Sequence, residues 1–155
     1  MARVLIGLAL YNGAEHVAAQ LDSIAAQDHP NWRLVVSDDG SSDAGPAIVQ
    51  EFAARFPAGQ VSLISGPTAG ATRNFLSMMA LPEGDEYLSL ADQDDVWRPD
   101  KLGRALTALR TRPEAGLYSA CTTICDADLT PLAGSLRFAG PFDFRNALVQ
   151  AVTAG

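Results

Sequence analysis

Asp92, Asp94 and Asp95 fall within the short run Ala91-Asp92-Gln93-Asp94-Asp95-Val96-Trp97. Carboxylates this close repel one another, and even partial removal from water makes each charge more costly. A hard divalent cation relieves such a cluster: it takes oxygen ligands and keeps positions open for phosphate oxygens. A metal held by carboxylates at the end of a strand is a place to bind a nucleoside diphosphate. The competing reading is an ordinary acidic turn, with Pro99 and Asp100 doing no more than starting the next helix. Asp-X-Asp alone does not separate the two. Its place after the apolar run Tyr87-Leu88-Ser89-Leu90 favours the metal, as does a second acidic turn, Asp38-Asp39-Gly40-Ser41-Ser42-Asp43.

These turns need elements to position them, and the hydrophobic pattern supplies a regular alternation. Residues 3–10 read as a strand buried on both faces. Residues 15–27 read as a helix, with Val17, Leu21, Ile24 and Ala25 at helical spacing. Residues 32–37 form a second strand, and residues 47–56 a helix with Ile48, Phe52 and Phe56 on one face. Residues 61–65 are a third strand, 66–70 a loop and 72–81 a helix. Residues 87–91 are the fourth strand and 101–110 a helix. A fifth strand is expected over 117–125, with a turn from Asp126 to Asp128 closing near Pro131. Short connections between alternating strands and helices imply an α/β fold, a mostly parallel sheet with helices on both faces. Ligands in such folds bind at the carboxyl ends of the strands. Tyr11, Asp38, Asp39, residues 66–70 and residues 92–95 all fall there.

Length and composition narrow the classes. The 155 residues, 48% of them hydrophobic, suggest a single domain with a real core. The formal net charge of −7 argues against nucleic acid as a partner. It also makes a metal more necessary for any diphosphate. No apolar run is long enough to span a membrane, and the N-terminus does not resemble a signal peptide. The expected location is the cytoplasm or the inner face of the membrane. Cys121 and Cys125, four apart in the expected fifth strand, would share a face but lie too far apart to bridge, and are read as reduced, packed thiols. His16 and His29 do not suggest a zinc site.

Other nucleotide folds fail on motif. The dinucleotide fingerprint Gly-X-Gly-X-X-Gly is replaced by Leu10-Tyr11-Asn12-Gly13-Ala14, and no Gly-Lys-Ser or Gly-Lys-Thr occurs. Ser37-Asp38-Asp39-Gly40-Ser41 is partly similar to the loop of haloacid-dehalogenase phosphatases. It has Ser37 where that loop needs an Asp, and it follows the second strand rather than the first.

Four segments together resemble family 2 glycosyltransferases of the GT-A fold: Leu8 through Asn12, Val36 through Asp43, Gly70 through Asn74, and Ala91 through Leu102. The Asp-Gln-Asp-Asp-Val-Trp form is most similar to bacterial transferases that build rhamnose-containing surface polysaccharides. The resemblance covers nearly the whole chain, and residues 146–150 look like the segment leading to the acceptor side. It implies transfer of a sugar, with inversion, from a UDP- or dTDP-linked donor to a saccharide or lipid-linked acceptor, with Mg²⁺ or Mn²⁺ as cofactor. It places Leu10, Tyr11, Asp39, Gly70, Arg73 and Asp92 at the nucleotide. Asp94 is the expected direct metal ligand, and Asp92 meets the ribose or the metal's water shell. Asp39 would accept from the imide N–H of the base, or would cap a helix. Tyr11 would lie against the base, or at the rim of the core. Arg73 would reach the nucleotide or its phosphates, or pair with a carboxylate in solvent. Asp38 is expected to hold its loop through backbone N–H groups, Asp95 to orient the acidic turn, and Trp97 to pack beneath it.

The same resemblance implies a general-base carboxylate beyond Gly155. Asp126, Asp128 and Asp143 do not match its motif. The chain is therefore expected to bind donor with little or no transfer. Apolar residues Phe138, Phe142, Phe144 and Leu148 would favour self-association, giving a homodimer or a disordered tail. The alternative function is a noncatalytic binding or interaction module on the same fold, its acidic loops serving as caps and surface.

Overall fold

The computed structural model describes residues 1–135 of the 155. Asp143, residues 146–150 and the tail residues Phe138, Phe142, Phe144 and Leu148 lie outside the described residues. The chain divides into two compact units, Met1–Arg104 and Ala105–Gly155.

The first unit contains β1 (Val4–Leu10), α1 (Val17–Ala25), β2 (Trp32–Asp38), α2 (Gly45–Ala53), β3 (Val61–Ser65), α3 (Ala71–Met78) and β4 (Tyr87–Ala91). Its sheet is parallel, in the order β3-β2-β1-β4. β1 is central, and Leu5, Ile6 and Leu8 are wholly removed from solvent, as a continuous apolar run in a two-sided sheet requires. The chain moves outward from β1 to β3 and then returns to place β4 on the other side of β1. That reversal opens a crevice at the carboxyl ends of β1 and β4.

Alternation along β1 assigns the helices to faces. A Cβ placed on Gly7 would sit 3.2 Å from Sδ of Met78 in α3. Leu10, on the opposite face, lies 3.4 Å from the position a Cβ would take on Gly45 of α2. So α2 and α3 cover opposite sides of the sheet, as expected from the sequence. The expected helices are all present with slightly shifted ends, and residues 61–65 and 87–91 are strands over the expected spans.

A helix, α4 (Lys101–Thr111), starts in the first unit and runs into the second. The second unit holds an antiparallel hairpin of β5 (Thr123–Cys125) and β6 (Pro131–Gly134). Here the sequence expectation fails. Residues 117–122 pair with no strand, and the strand beginning at Thr123 belongs to the hairpin rather than to the parallel sheet. Apolar alternation fits either arrangement, and only the available ladder partner decides between them. Cys121 is consequently exposed rather than packed, and Cys125 is half-buried; both are free thiols. Asp126 is structural: its Oδ1 accepts from Asp128 N–H at 3.0 Å and Thr130 N–H at 2.9 Å, fixing the hairpin turn. Among the described residues, no helix is long and apolar enough to cross a membrane.

The amino end of the sheet carries a buried ion cluster. The Asp85 carboxylate, fully enclosed, accepts from Arg33 Nη2 at 2.6 Å and Nε at 2.9 Å. Arg3 Nε lies 3.1 Å from its other oxygen. Burial pushes this carboxyl up, but the hydrogen bond and charge of Arg33, the charge of Arg3 and a backbone bond at Glu83 outweigh it and hold it below its ordinary value. Asp85→Asn keeps an acceptor oxygen but removes the charge facing Arg33, while Arg3 stays half-exposed to water, so it should cost about 1–3 kcal/mol in urea unfolding at neutral pH. A lowered native value stabilises the fold fully above the ordinary 3.8, and that contribution fades as pH falls through the native value. The gap between wild type and variant should therefore close in acid; a gap independent of pH would exclude an ion-pair origin.

Candidate functional site

An open cleft of about 750 Å³ lies at the carboxyl ends of the strands, lined among others by Tyr11, Asp39, Gly70, Asn74, Asp92 and Asp94. This volume is in the range of small-molecule sites. The lining comes from the ends of β1, β2 and β4 and the start of α3, so residues distant in sequence meet in one place. Of the residues expected from the sequence, Leu10 and Arg73 stand apart from this lining. The Leu10 side chain is buried, and its carbonyl accepts from Asp39 N–H at 2.8 Å. Arg73 is exposed on the first turn of α3.

Each acidic turn is organised by hydrogen bonds. Asp38 Oδ1 accepts from Ser41 N–H at 3.1 Å, the loop-holding role expected of it. Asp43 spans two elements, accepting from Gly45 N–H at 2.9 Å and Ala14 N–H at 2.8 Å. Asp39 is buried and reaches across to the loop before α3: its Oδ2 accepts from Gly70 N–H at 2.7 Å. Gly70 has φ +88°, a backbone that glycine adopts without a steric penalty. Gly66 is needed for close approach, since a Cβ there would lie 3.0 Å from both Asn74 Oδ1 and the Asp38 carbonyl. Asn74 is buried and ties α3 to β2. It donates to the Ser37 carbonyl at 2.8 Å and accepts from Ser37 Oγ at 2.5 Å.

The turn after β4 is fixed from below by polar side chains of α1 and of Gln27 just past its end. Ser23 Oγ accepts from Trp97 N–H at 3.0 Å. Gln27 donates to the Arg98 carbonyl at 2.8 Å and accepts from Leu102 N–H at 3.0 Å. Gln20, with its amide turned to satisfy both ends, donates to the Asp95 carbonyl at 2.8 Å and accepts from Trp97 Nε1 at 3.2 Å. Trp97 is buried beneath the turn, as expected, and the Lys101 ammonium lies 4.2 Å from its ring centroid. The roles of Gln20, Ser23 and Gln27 are not evident in the sequence reading, which follows the apolar face of this helix. Their spacing of three and four puts them on one stripe and was the available signal.

Electrostatics single out the same turn. Partial burial, then the charges of Asp95 and Asp94, push the Asp92 carboxyl up against the opposing charge of Lys101. Partial burial also raises Asp95, with Lys101 opposing and Asp94 adding. Lys101 is drawn down by burial, against the pull of Asp95 and Asp92. Negative charge is thus disfavoured here and a further cation is welcome. Among the described residues, no three His, Cys, Asp or Glu side chains form a closed metal cage. Asp92 and Asp94 at an open cleft fit the other kind of site, in which one or two carboxylates hold Mg²⁺ or Mn²⁺ and phosphates and water complete the shell.

Fold and site together define the class: an α/β domain with an acidic cleft, suited to a hard metal, at the carboxyl ends of its parallel strands. The chain belongs to glycosyl transferase family 2, whose model matches residues 6–148. An uncharacterized protein of Mycobacterium tuberculosis is 35% identical over 118 residues, covering 74% of this chain and 32% of that one. The dTDP-rhamnosyl transferase RfbG of Shigella flexneri is 33% identical over 106 residues, covering 66% of this chain and 36% of that one. Among solved structures, the mannosyltransferase PcManGT of Pyrobaculum calidifontis, in complex with GDP-Man and Mn²⁺, superposes with a TM-score of 0.63 at 28% identity, covering 69% of this chain and 32% of that one. The fold is GT-A. The chain spans about a third of the length of these relatives.

The polar side chains of α1 yield a direct test. Ser23→Ala leaves the buried Trp97 N–H without its acceptor, which should cost about 1–3 kcal/mol in chemical unfolding. A variant as stable as wild type would mean that Ser23 does not hold the turn.

Proposed function

We propose that residues 1–155 act as one GT-A nucleotide-sugar-binding domain of an inverting glycosyltransferase. The donor is a UDP- or dTDP-linked sugar, and the acceptor a saccharide or lipid-linked saccharide of cell-surface polysaccharide synthesis. The observation that carries this reading is the meeting of Tyr11, Asp39, Asp92 and Asp94 in one cleft. RfbG is named for a dTDP-rhamnosyl donor, and PcManGT was solved with a nucleotide sugar and Mn²⁺; both support a metal-assisted nucleotide-sugar site here.

In this reading Tyr11, with its ring exposed at the cleft, offers an aromatic face to the base. Asp39 keeps acceptor capacity beyond its bonds to Gly70 N–H and, at 3.4 Å, Ala69 N–H, because a carboxylate has about four acceptor positions. It therefore accepts the imide N–H of uracil or thymine. Asp94 binds the metal directly, and Asp92 meets the ribose or the metal's water shell. The metal, when bound, supplies Lewis-acid stabilisation of the departing nucleoside diphosphate. Gly70 contributes backbone at the cleft; Leu10, buried, and Arg73, exposed on α3 and outside the lining, are given no ligand contact in this reading.

The second reading, a noncatalytic module on the same fold, has one observation in its favour. Asp38, Asp39 and Asp43 all accept backbone N–H bonds within the domain. The two readings part on metal-dependent binding. Calorimetric titration with UDP and dTDP should show binding with Mn²⁺ or Mg²⁺ that EDTA removes. Asp94→Ala should weaken it about tenfold or more, that is by about 1.4 kcal/mol or more. A folded wild-type protein that binds neither nucleotide, or an Asp94→Ala protein that binds as wild type does, would favour the noncatalytic module.

A further inference from the structure

Gln93 sits between Asp92 and Asp94, and by sequence it belongs to the metal turn. Its bonds lie elsewhere. The side-chain Oε1 accepts from Tyr11 N–H at 2.8 Å, and Nε2 donates to the Tyr11 carbonyl at 3.1 Å. One carboxamide thus satisfies both main-chain groups of one residue, as a partner residue does in an antiparallel ladder. The backbone at Gly13 completes the seat. A Cβ added there would fall on Oε1 of Gln93 and lie 3.0 Å from Nε2, so a glycine leaves room for the carboxamide. Asn12 has φ +47°, so the chain turns sharply right after the residue that Gln93 holds. Ser41 Oγ accepts from Asn12 N–H at 2.9 Å on the other side of this turn.

Tyr11 has an exposed side chain, 58% accessible. Its ring therefore gains little orientation from packing; what the protein fixes is the main chain, and with it the Cα–Cβ direction from which the ring starts. We infer that Gln93 is a positioning residue for the nucleoside, carried on the metal turn: it fixes the Tyr11 main chain so that the ring is presented to the base. This inference rests on the nucleotide-site reading above and adds that the middle residue of the acidic turn serves the base rather than the diphosphate. Releasing Tyr11 lowers the fraction of molecules in the binding geometry, and the apparent Kd rises in inverse proportion to that fraction.

Two variants test this from different sides. Gln93→Ala removes the carboxamide. Gly13→Ala leaves Gln93 in place but puts a methyl group where its flexible end lies, so the side chain rather than the backbone gives way. Uridine and thymidine binding, measured by NMR titration in EDTA, should weaken about fivefold or more in both variants. Binding of Mg²⁺–pyrophosphate, measured by calorimetry, should change by less than about twofold in them. Asp94→Ala should show the reverse pattern: nucleoside binding kept and Mg²⁺–pyrophosphate binding lost. General damage to the domain would weaken both probes together, so the split between them is the diagnostic result. Nucleoside affinity at the wild-type level in either variant, or equal losses for both probes, overturns the inference while leaving the nucleotide site intact. A wild-type chain that binds neither nucleoside also overturns it. A chain that fails as well to bind UDP or dTDP with metal overturns the reading on which it rests.

Discussion

The acidic turn after β4 has to be held in place without using its own carboxylates, which would otherwise be spent on structure. The buried polar side chains of α1, with Gln27 just beyond it, meet that requirement. Gln20, Ser23 and Gln27 bind backbone groups of residues 95–102, so the turn is fixed by neutral hydrogen bonds. Asp92 and Asp94 remain directed to the cleft. Buried neutral amides and hydroxyls are economical for this purpose, because each is fully satisfied and carries no charge to desolvate. The apolar face of the same helix, Val17, Leu21 and Ile24, anchors these side chains in the core.

The two ends of the sheet show opposite treatments of negative charge. At the amino end, the Asp85 carboxylate is enclosed and matched by Arg33 and Arg3. At the carboxyl end, Asp92 and Asp95 are raised by partial burial and by neighbouring carboxylates, with Lys101 as a partial counterweight. A site whose protein cations fall short of its carboxylates keeps a standing preference for an external cation. The enclosed cluster is satisfied within the protein and the open one faces the cleft, although both are built from the same residue types.

The cleft is also a consequence of topology. Parallel strands deliver their carboxyl ends to one side, and the return from β3 to β4 separates the connections on either side of β1. The loop after β1, the acidic loop after β2 and the turn after β4 then face one another. Short polar links stitch them together: Gln93 to Tyr11, Ser41 to Asn12, and Asp39 to Gly70. These links give exposed loops a defined geometry that their own sequences would not impose.

Much of this was legible in the sequence. The alternation of apolar strands with amphipathic helices gave the parallel sheet, because a chain cannot bury those patterns in another way over such short connections. The acidic segments and their order pointed to family 2, and Tyr11, Asp39, Asp92 and Asp94 were expected together at the strand ends, where they line one cleft. The fifth strand was misread, since the pattern of residues 117–125 is silent about which strand will supply its ladder. Gln93 carries no local mark of its role, and the spacing of Gln20, Ser23 and Gln27 marks a common side without naming what it binds. Tyr11 and Gln93 are 82 positions apart, Ser23 and Trp97 74 apart. A hydrogen bond depends on distance and direction in space, which composition and periodicity do not encode. The order of amino acids fixes which residue types collect at the strand ends; which of them bind one another, and which stay open to a ligand, follows from contacts that form only when the chain has folded.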